Sequence, residues 1–341
     1  MERLAHIIET QQFTVEWLEE DFFPLVDEME EKLEAREKGL IDSPVRTDLT
    51  GKNVVEFFYG ASTRTMLTFQ FAARQLNATN FATDNADISS SAAKGESLRD
   101  AIQVISGYRT TDVIVLRTPI NGQEEMAIKN AVPFSSKPII SAGDRNAQHP
   151  TQTLLDFYTI RKEKGQITGL TIGLGGDVGG SRTVKSLIYL GAQYGVKFFI
   201  ISPEISKIPD DLRDYLKRRN VEFTEGNNAK DYAHLFDVYY VVRMQTETYR
   251  EIGRNLIPKY EPKAFWAANQ ELLKILPKDA IIMDPLPRTQ EELPYETDND
   301  LRSRYFKQAQ YGESVRMALL LTVLKEPYRA TFLQKTNPLT F

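Results

Sequence analysis

The chain contains no cysteine. Disulfides, thiolate-ligated zinc, iron–sulfur clusters and a thiol nucleophile are therefore excluded together. Histidine is almost as scarce. His6, His149 and His234 are the only three in 341 residues, so any imidazole chemistry rests on one of them. No run of about 18 apolar residues occurs, and no membrane-spanning helix is expected. The start, MERLAHIIETQQ, carries charges where a secretory signal would have its apolar core, and a cytoplasmic protein is the expectation. Positive charge is not in surplus either: 42 Lys and Arg stand against 47 Asp and Glu, a net charge of −5. Sequence-blind nucleic-acid binding needs a basic face, so that class is disfavoured. A local basic site for a small anion stays open. No repeat of 20–50 residues and no low-complexity tract is present.

What is there reads as a folded globular chain. Hydrophobic residues make up 41% and charged residues 26%, ordinary values for a protein with a core. The length favours two domains. Val15, Leu18, Phe22, Leu25, Met29 and Leu33 recur at spacings of three and four, which predicts helix over 14–39, divided or kinked at Pro24 and stopped at Gly39. Beyond it, short apolar runs alternate with helical patterns. Strands are expected at 53–59, 112–116, 138–141, 171–173, 197–202, 237–242 and 280–284. Helices are expected at about 65–76, 97–108, 151–163, 182–194, 209–219 and 264–275. Such alternation implies an α/β fold: two doubly wound domains with parallel sheets joined by helices, dividing near residue 150. The last pattern, 313–325 (ESVRMALLLTVLK), is an apolar helix able to pack on either domain.

In open α/β sheets, ligands bind where strands end and helices begin. Gly60-Ala61-Ser62-Thr63-Arg64-Thr65 brings three hydroxyls, backbone N–H groups and a guanidinium to one helix N-terminus. This is an anion site by its chemistry, although Ser and Thr also simply cap helices. Ser89–Ser97 adds hydroxyls, Lys94 and Gly95, or forms a surface loop capped by Ser97. Arg117 leaves the end of the strand DVIVL. His149-Pro150-Thr151-Gln152 opens an apolar helix, with Pro150 suited to its first position and His149 at the cap. Gly173–Gly180 (GLGGDVGG) looks like a dinucleotide loop, but the third glycine of G-x-G-x-x-G is replaced by Val178. The next acidic residue past a strand, Glu204, lies about 29 residues beyond Gly175 where about 20 is expected. A glycine-rich turn that lets Arg182 face a ligand fits better. Arg243-Met244-Gln245 follows DVYYVV, and Asp284-Pro285-Leu286-Pro287-Arg288 follows AIIM. Its prolines remove donors and leave carbonyls as acceptors.

As a set, STRT (62–65), the Ser-Lys-Gly-Glu loop (90–96), HPTQTLLDFYTI (149–160), SRTVKSL (181–187), RMQ (243–245), DPLPR (284–288) and RMALL (316–320) resemble the aspartate/ornithine carbamoyltransferase family. The resemblance runs from about 45 to 325 and falls on the aspartate branch. HPCQ, the Ser-Met-Gly turn and HCLPR of the ornithine branch are absent. It implies a carbamoyl-phosphate-binding domain over 1–150, rejoined by the C-terminal stretch 308–341, and an amino-acid-binding domain over 151–307. It also implies a homotrimer with shared active sites, open to higher assembly, with no nucleic-acid or membrane partner and neither metal nor organic cofactor.

The reaction implied is carbamoyl phosphate plus L-aspartate giving N-carbamoyl-L-aspartate and phosphate, a step of pyrimidine biosynthesis. By the same resemblance Ser62, Thr63, Arg64 and Thr65 hold the phosphate, and Ser90 and Lys94 close that site from a neighbouring subunit. His149, Thr65 and Arg117 donate to the carbonyl oxygen. Gln152 and the carbonyls of Pro285 and Leu286 orient the carbamoyl NH₂. Arg182 and Arg243, supported by Gln245, take the two carboxylates of aspartate. The sequence departs from the family pattern at Gly60, Thr248 and Asp284, where Glu, Arg and His are usual, and at Gln70, where Glu is common. A carboxylate at 284 opposes a dicarboxylate substrate unless it is turned away or paired. Three other readings follow: transfer to a different amino acceptor, a catalytically silent homologue, and a nicotinamide-dependent oxidoreductase resting on GLGGDVGG alone.

Overall fold

Apolar runs too short for helices and bounded by turn residues become parallel strands. The computed structural model describes residues 4–86, 94–118, 126–144, 147–245 and 265–339. Two compact units result, Met1–Tyr158 with Tyr311–Phe341, and Thr159–Gln310.

The first unit holds β1 (Asn53–Phe58), β2 (Thr79–Thr83), β3 (Val113–Arg117) and β4 (Ile139–Ser141) in the order β2-β1-β3-β4, every pair parallel. Its helices are α1 (Phe23–Glu37), α2 (Thr63–Gln75), α3 (Leu98–Gly107) and α4 (Pro150–Lys164), the last belonging to this unit as far as Tyr158. The predicted helix over 14–39 is divided: a single turn Val15–Trp17 is capped by Thr14, a wider turn spans Leu18–Phe22, and α1 then starts with Pro24 in its first turn. On one face of the sheet, Phe57, Ile114, Leu116 and Ile139 pack with Ala101 and Ile102 of α3.

The second unit holds β5 (Thr171–Gly176), β6 (Lys197–Ile201), β7 (Phe223–Gly226), β8 (Val238–Val242) and β9 (Ile281–Met283) in the order β7-β6-β5-β8-β9, again all parallel. Helices α5 (Arg182–Gln193) and α6 (Asp210–Arg218) follow β5 and β6. The doubly wound parallel architecture expected from the sequence is thus present in both units. The helix expected over 264–275 is present only as Gln270–Leu273 among the described residues. Its start is fixed by Asn269, whose side chain accepts from the amides of Glu271 and Leu272. Strands β2 and β7 and the helical turn Ala127–Ala131 carry no apolar run that announced them.

The final apolar pattern forms α7 (Gly312–Leu324), which returns to the first unit and packs on α1 and α2. Every residue from Ser314 to Val323 is buried, as a helix apolar on all sides requires. One of them is Arg316. Its Nη1 donates to the Gly312 carbonyl at 2.9 Å, and its guanidinium lies 5.2 Å from the centre of the Phe69 ring on α2. Glu56 of β1 is also fully buried, and its Oε1 accepts from Asn80 Nδ2 at 2.6 Å. Burial pushes the Glu56 carboxyl up to about 7, against the hydrogen bond from Asn80 and the charge of Arg316. Burial also draws Arg316 down to about 10, against the charge of Glu56.

The native Glu56 carboxyl therefore keeps its proton to about pH 7, whereas the unfolded one releases it near 4.5. Between those values the native state binds more protons. The stabilisation from Glu56 is complete below pH 4.5 and is lost as pH rises through 7, by about 3 kcal/mol at most. Thermal melts at pH 5 and pH 8 are expected to show wild type losing stability relative to Glu56→Gln at the higher pH.

Candidate active site

In the first unit the strand order reverses between β1 and β3, and their ends carry the chemistry. Ser62 is the N-cap of α2, yet its hydroxyl makes no capping bond to that helix. The hydroxyls of Ser97 and Ser181 do cap theirs, accepting from Asp100 and Val184. Capping therefore accounts for the other two serines and not for Ser62. First-turn N–H groups of a helix have no intrahelical acceptor, and here they lie beside the Ser62 and Thr63 hydroxyls and the exposed Arg64. Thr65 is buried.

The neighbouring strand ends are stitched together by their backbones. The Tyr59 amide donates to the Arg117 carbonyl at 2.9 Å, and the Thr118 amide donates to the Gly143 carbonyl at 3.3 Å. Arg117 Nη1 donates to the Ala142 carbonyl at 3.0 Å, which brings its guanidinium across the end of β4. Asp144 fastens the same edge. Its two carboxylate oxygens accept from Thr118 Oγ1 at 2.8 Å and from the Ile128 amide at 3.1 Å.

His149 is buried just ahead of Pro150, the first residue of α4, and its carbonyl accepts from the amides of Gln152 and Thr153. Its Nδ1 lies 3.3 Å from Thr151 Oγ1. Gln148 anchors the approach, with Oε1 accepting from both the amide and the hydroxyl of Thr10. Gln152 is half-buried and donates through Nε2 to Asp156 at 2.9 Å. The other two histidines serve elsewhere. His6 Nδ1 accepts from the Ile139 amide, with burial drawing the ring down to about 4. His234 is exposed on a short turn.

In the second unit the reversal falls between β5 and β8. Arg182 is the first residue of α5, after β5, and Arg243 and Gln245 follow β8. Gln245 Nε2 donates to the Gly180 carbonyl at 3.0 Å. The residue that holds these turns together is Asp177, which is fully buried. One oxygen accepts from the Gly180 amide at 3.0 Å and from the Ser206 hydroxyl; the other accepts from the Gln245 amide at 3.0 Å. Sequence reasoning missed it, although an acidic residue inside a glycine turn was the available signal.

The glycines of this turn make room for the chain's own groups. A Cβ on Gly173 would meet the Phe236 ring within 2.5–2.7 Å, and one on Gly176 (φ +109°) would fall on the Val242 carbonyl oxygen. A dinucleotide is not needed to explain them.

After β9, Asp284 is buried and directs Oδ1 at the Leu286 amide, 2.5 Å away. Its own amide donates to Gln308 Oε1 at 3.1 Å. That carboxylate oxygen is thus committed to the backbone of its own loop. Leu286 has φ +55°, a conformation a leucine adopts only when held, and the Asp284 bond holds it. Arg288 is fixed by a two-pronged pair to Asp298 and by the rings of Tyr295, Tyr305 and Phe306.

The structure thus places Ser62, Thr63, Arg64, Thr65, Arg117, His149 and Gln152 in the first unit, and Arg182, Arg243, Gln245, Pro285 and Leu286 in the second. Lys94 is exposed in the first unit, in the stretch leading to α3. Ser90 and Thr248 lie outside the described residues.

Fold and site define an α/β protein with guanidinium, hydroxyl and amide donors at one strand edge of each unit. Residues 5–162 match the carbamoyl-P binding domain, and residues 168–323 the Asp/Orn binding domain, of aspartate/ornithine carbamoyltransferases. The chain belongs to that family. It is 40% identical over 326 residues to a chloroplastic aspartate carbamoyltransferase of Oryza sativa subsp. japonica, covering 94% of this chain and 85% of the relative. Among solved structures, the catalytic subunit of Methanocaldococcus jannaschii aspartate transcarbamoylase superposes with a TM-score of 0.78 at 38% identity, covering 93% of this chain and 97% of the other. Aspartate transcarbamoylase of Trypanosoma cruzi in complex with carbamoyl phosphate gives 0.81 at 29% identity, covering 94% and 96%.

Asp177→Ala leaves two amides and a hydroxyl without their acceptor. The expected loss is about 2–4 kcal/mol of stability, with faster hydrogen exchange at the Gly180 and Gln245 amides.

Proposed function

We propose that the protein transfers the carbamoyl group of carbamoyl phosphate to the amino group of L-aspartate, releasing phosphate, and that it serves pyrimidine biosynthesis in the cytoplasm. The observation that carries this reading is the uncapped Ser62 turn beside Arg117, at the strand ends where the first sheet reverses order. It is the arrangement a phosphate dianion calls for.

In this reading Ser62, Thr63, Arg64 and Thr65 hold the phosphate through hydroxyls, first-turn amides and the guanidinium. Arg117, Thr65 and His149 donate to the carbonyl oxygen as attack makes it tetrahedral, each such donor being worth about 10²–10³ in rate. Gln152 and the Pro285 and Leu286 carbonyls orient the carbamoyl NH₂, the loop of the latter being fixed by Asp284. Arg182 and Arg243 take the acceptor's carboxylates as forked pairs, and Gln245 positions that edge. The amine attacks the carbonyl carbon, the bond to the phosphate oxygen breaks, and the amine's proton leaves, the departing phosphate being a candidate acceptor for it. Binding the two reactants in register supplies much of the acceleration.

We also propose a homotrimer in which Ser90 and Lys94 complete a neighbour's phosphate site. The first unit supports this with exposed apolar side chains. Leu67 and Phe71 lie on α2, Phe81 on the edge strand β2, and Val104 and Tyr108 at α3. Such groups are commonly covered in an assembly. Light scattering is expected to give three times the chain mass.

Arg64→Ala is expected to lower kcat/KM by about 10²–10³ while the melting temperature holds. Arg182→Ala should raise KM for aspartate at least tenfold and leave KM for carbamoyl phosphate within about threefold. A ureido assay with other amino acids tests the alternative acceptor suggested by Gly60, Thr248 and Asp284. Product with another amine and none with aspartate would reject the aspartate reading.

A further inference from the structure

The proposed reaction makes no use of two buried ionisable groups of the first unit, Glu56 and Arg316. Burying such a pair is costly: each ion loses several kcal/mol of hydration, and apolar residues of the same volume often do as well or better. α7 is otherwise lined by Val315, Met317, Ala318, Leu319 and Leu320, so an apolar side chain at 316 would fit the pattern of its helix. The position of the guanidinium is therefore the informative feature.

Arg316 lies against the ring of Phe69, 5.2 Å from its centre, and is tied to its own helix through the Gly312 carbonyl. Gly312 leaves space for it, since a Cβ there would fall on Arg316 Nη1. Phe69 is fully buried on α2, four residues after Thr65, which is also buried. Residues four apart share one helix face, so the cation bears on the same side of α2 as the last residue of the Ser62–Thr65 turn. The C-terminal helix and the phosphate helix are therefore linked through the Arg316 guanidinium and the Phe69 ring.

We infer that Arg316 is a positioning residue for the anion-binding turn of α2: lying against Phe69 and tied to Gly312, it sets the attitude of that helix. It does not touch the substrate. The inference rests on the reading of Ser62–Thr65 as the phosphate cradle.

The test uses the full chain with Arg316→Met and Arg316→Lys. Circular dichroism and melting report the fold, calorimetry with sulfate reports the anion site, and the ureido assay separates KM from kcat. For Arg316→Met, the dissociation constant for sulfate and KM for carbamoyl phosphate should each rise about tenfold. KM for the acceptor should stay unchanged and kcat should fall less than about threefold. Arg316→Lys, which keeps the charge but loses the planar face against Phe69, should recover part of the loss. If Arg316→Met does not fold, Arg316→Lys should still weaken sulfate about threefold. Folded variants that bind sulfate and carbamoyl phosphate as wild type does would overturn the inference. Failure of both variants to fold would overturn it too, by marking Arg316 as structural. A wild-type protein that binds neither sulfate nor carbamoyl phosphate would instead overturn the cradle reading.

Discussion

Parallel pairing of strands is the constraint from which the rest follows. In a parallel sheet every strand ends on the same edge, so each helix that follows presents its N-terminus there as well. Where strand order reverses, two successive turns run in opposite directions and leave a crevice. Both sheets contain such a point, between β1 and β3 and between β5 and β8. The arginines and hydroxyls gathered there come from segments far apart in sequence, yet no special device is needed to collect them. Topology delivers them to one edge, and helix N-termini add donors of the right sign.

Holding those turns in place falls to buried carboxylates that accept from backbone amides. Asp144 ties Thr118 and Ile128, Asp177 ties Gly180 and Gln245, and Asp284 ties Leu286. Each converts a flexible loop into one fixed by a charge-assisted bond in a water-poor setting, where such bonds are strong. The acidic residues thereby fix the geometry of these strand edges.

The legible parts of the sequence were those where one short segment carries the whole signal. DVIVL, KFFIIS and DVYYVV are central strands buried on both faces, so each is a continuous apolar run. STRT and HPTQ are strand-to-helix turns whose residue types match the job of the turn. Edge strands β2 and β7 escaped because no residue of TNFAT or FTEG is buried and neither carries an apolar run, whereas the edge strands β4 and β9 are buried and carry IIS and IIM. The helix over 264–275 was overextended because apolar spacing says nothing of the Asn269 cap that starts a shorter helix. Asp177 was missed because one of its partners, Gln245, is 68 residues away, a relation that no local pattern records.

The return of α7 to the first unit has a consequence for how the chain is made. The second unit is one unbroken stretch, Thr159–Gln310, and all of its strands are synthesised before α7. The first unit, although most of it precedes the second in the chain, lacks a wall of its core until Ser314–Val323 emerges. Domains generally fold as units during synthesis, the earlier one first. Here that order is inverted for completion: the part of the first unit made before the second must wait for the part made after it. Any chain released early, before residue 312, would carry a finished second unit beside a first unit with its apolar face uncovered, marking it for removal by the machinery that recognises exposed hydrophobic surface.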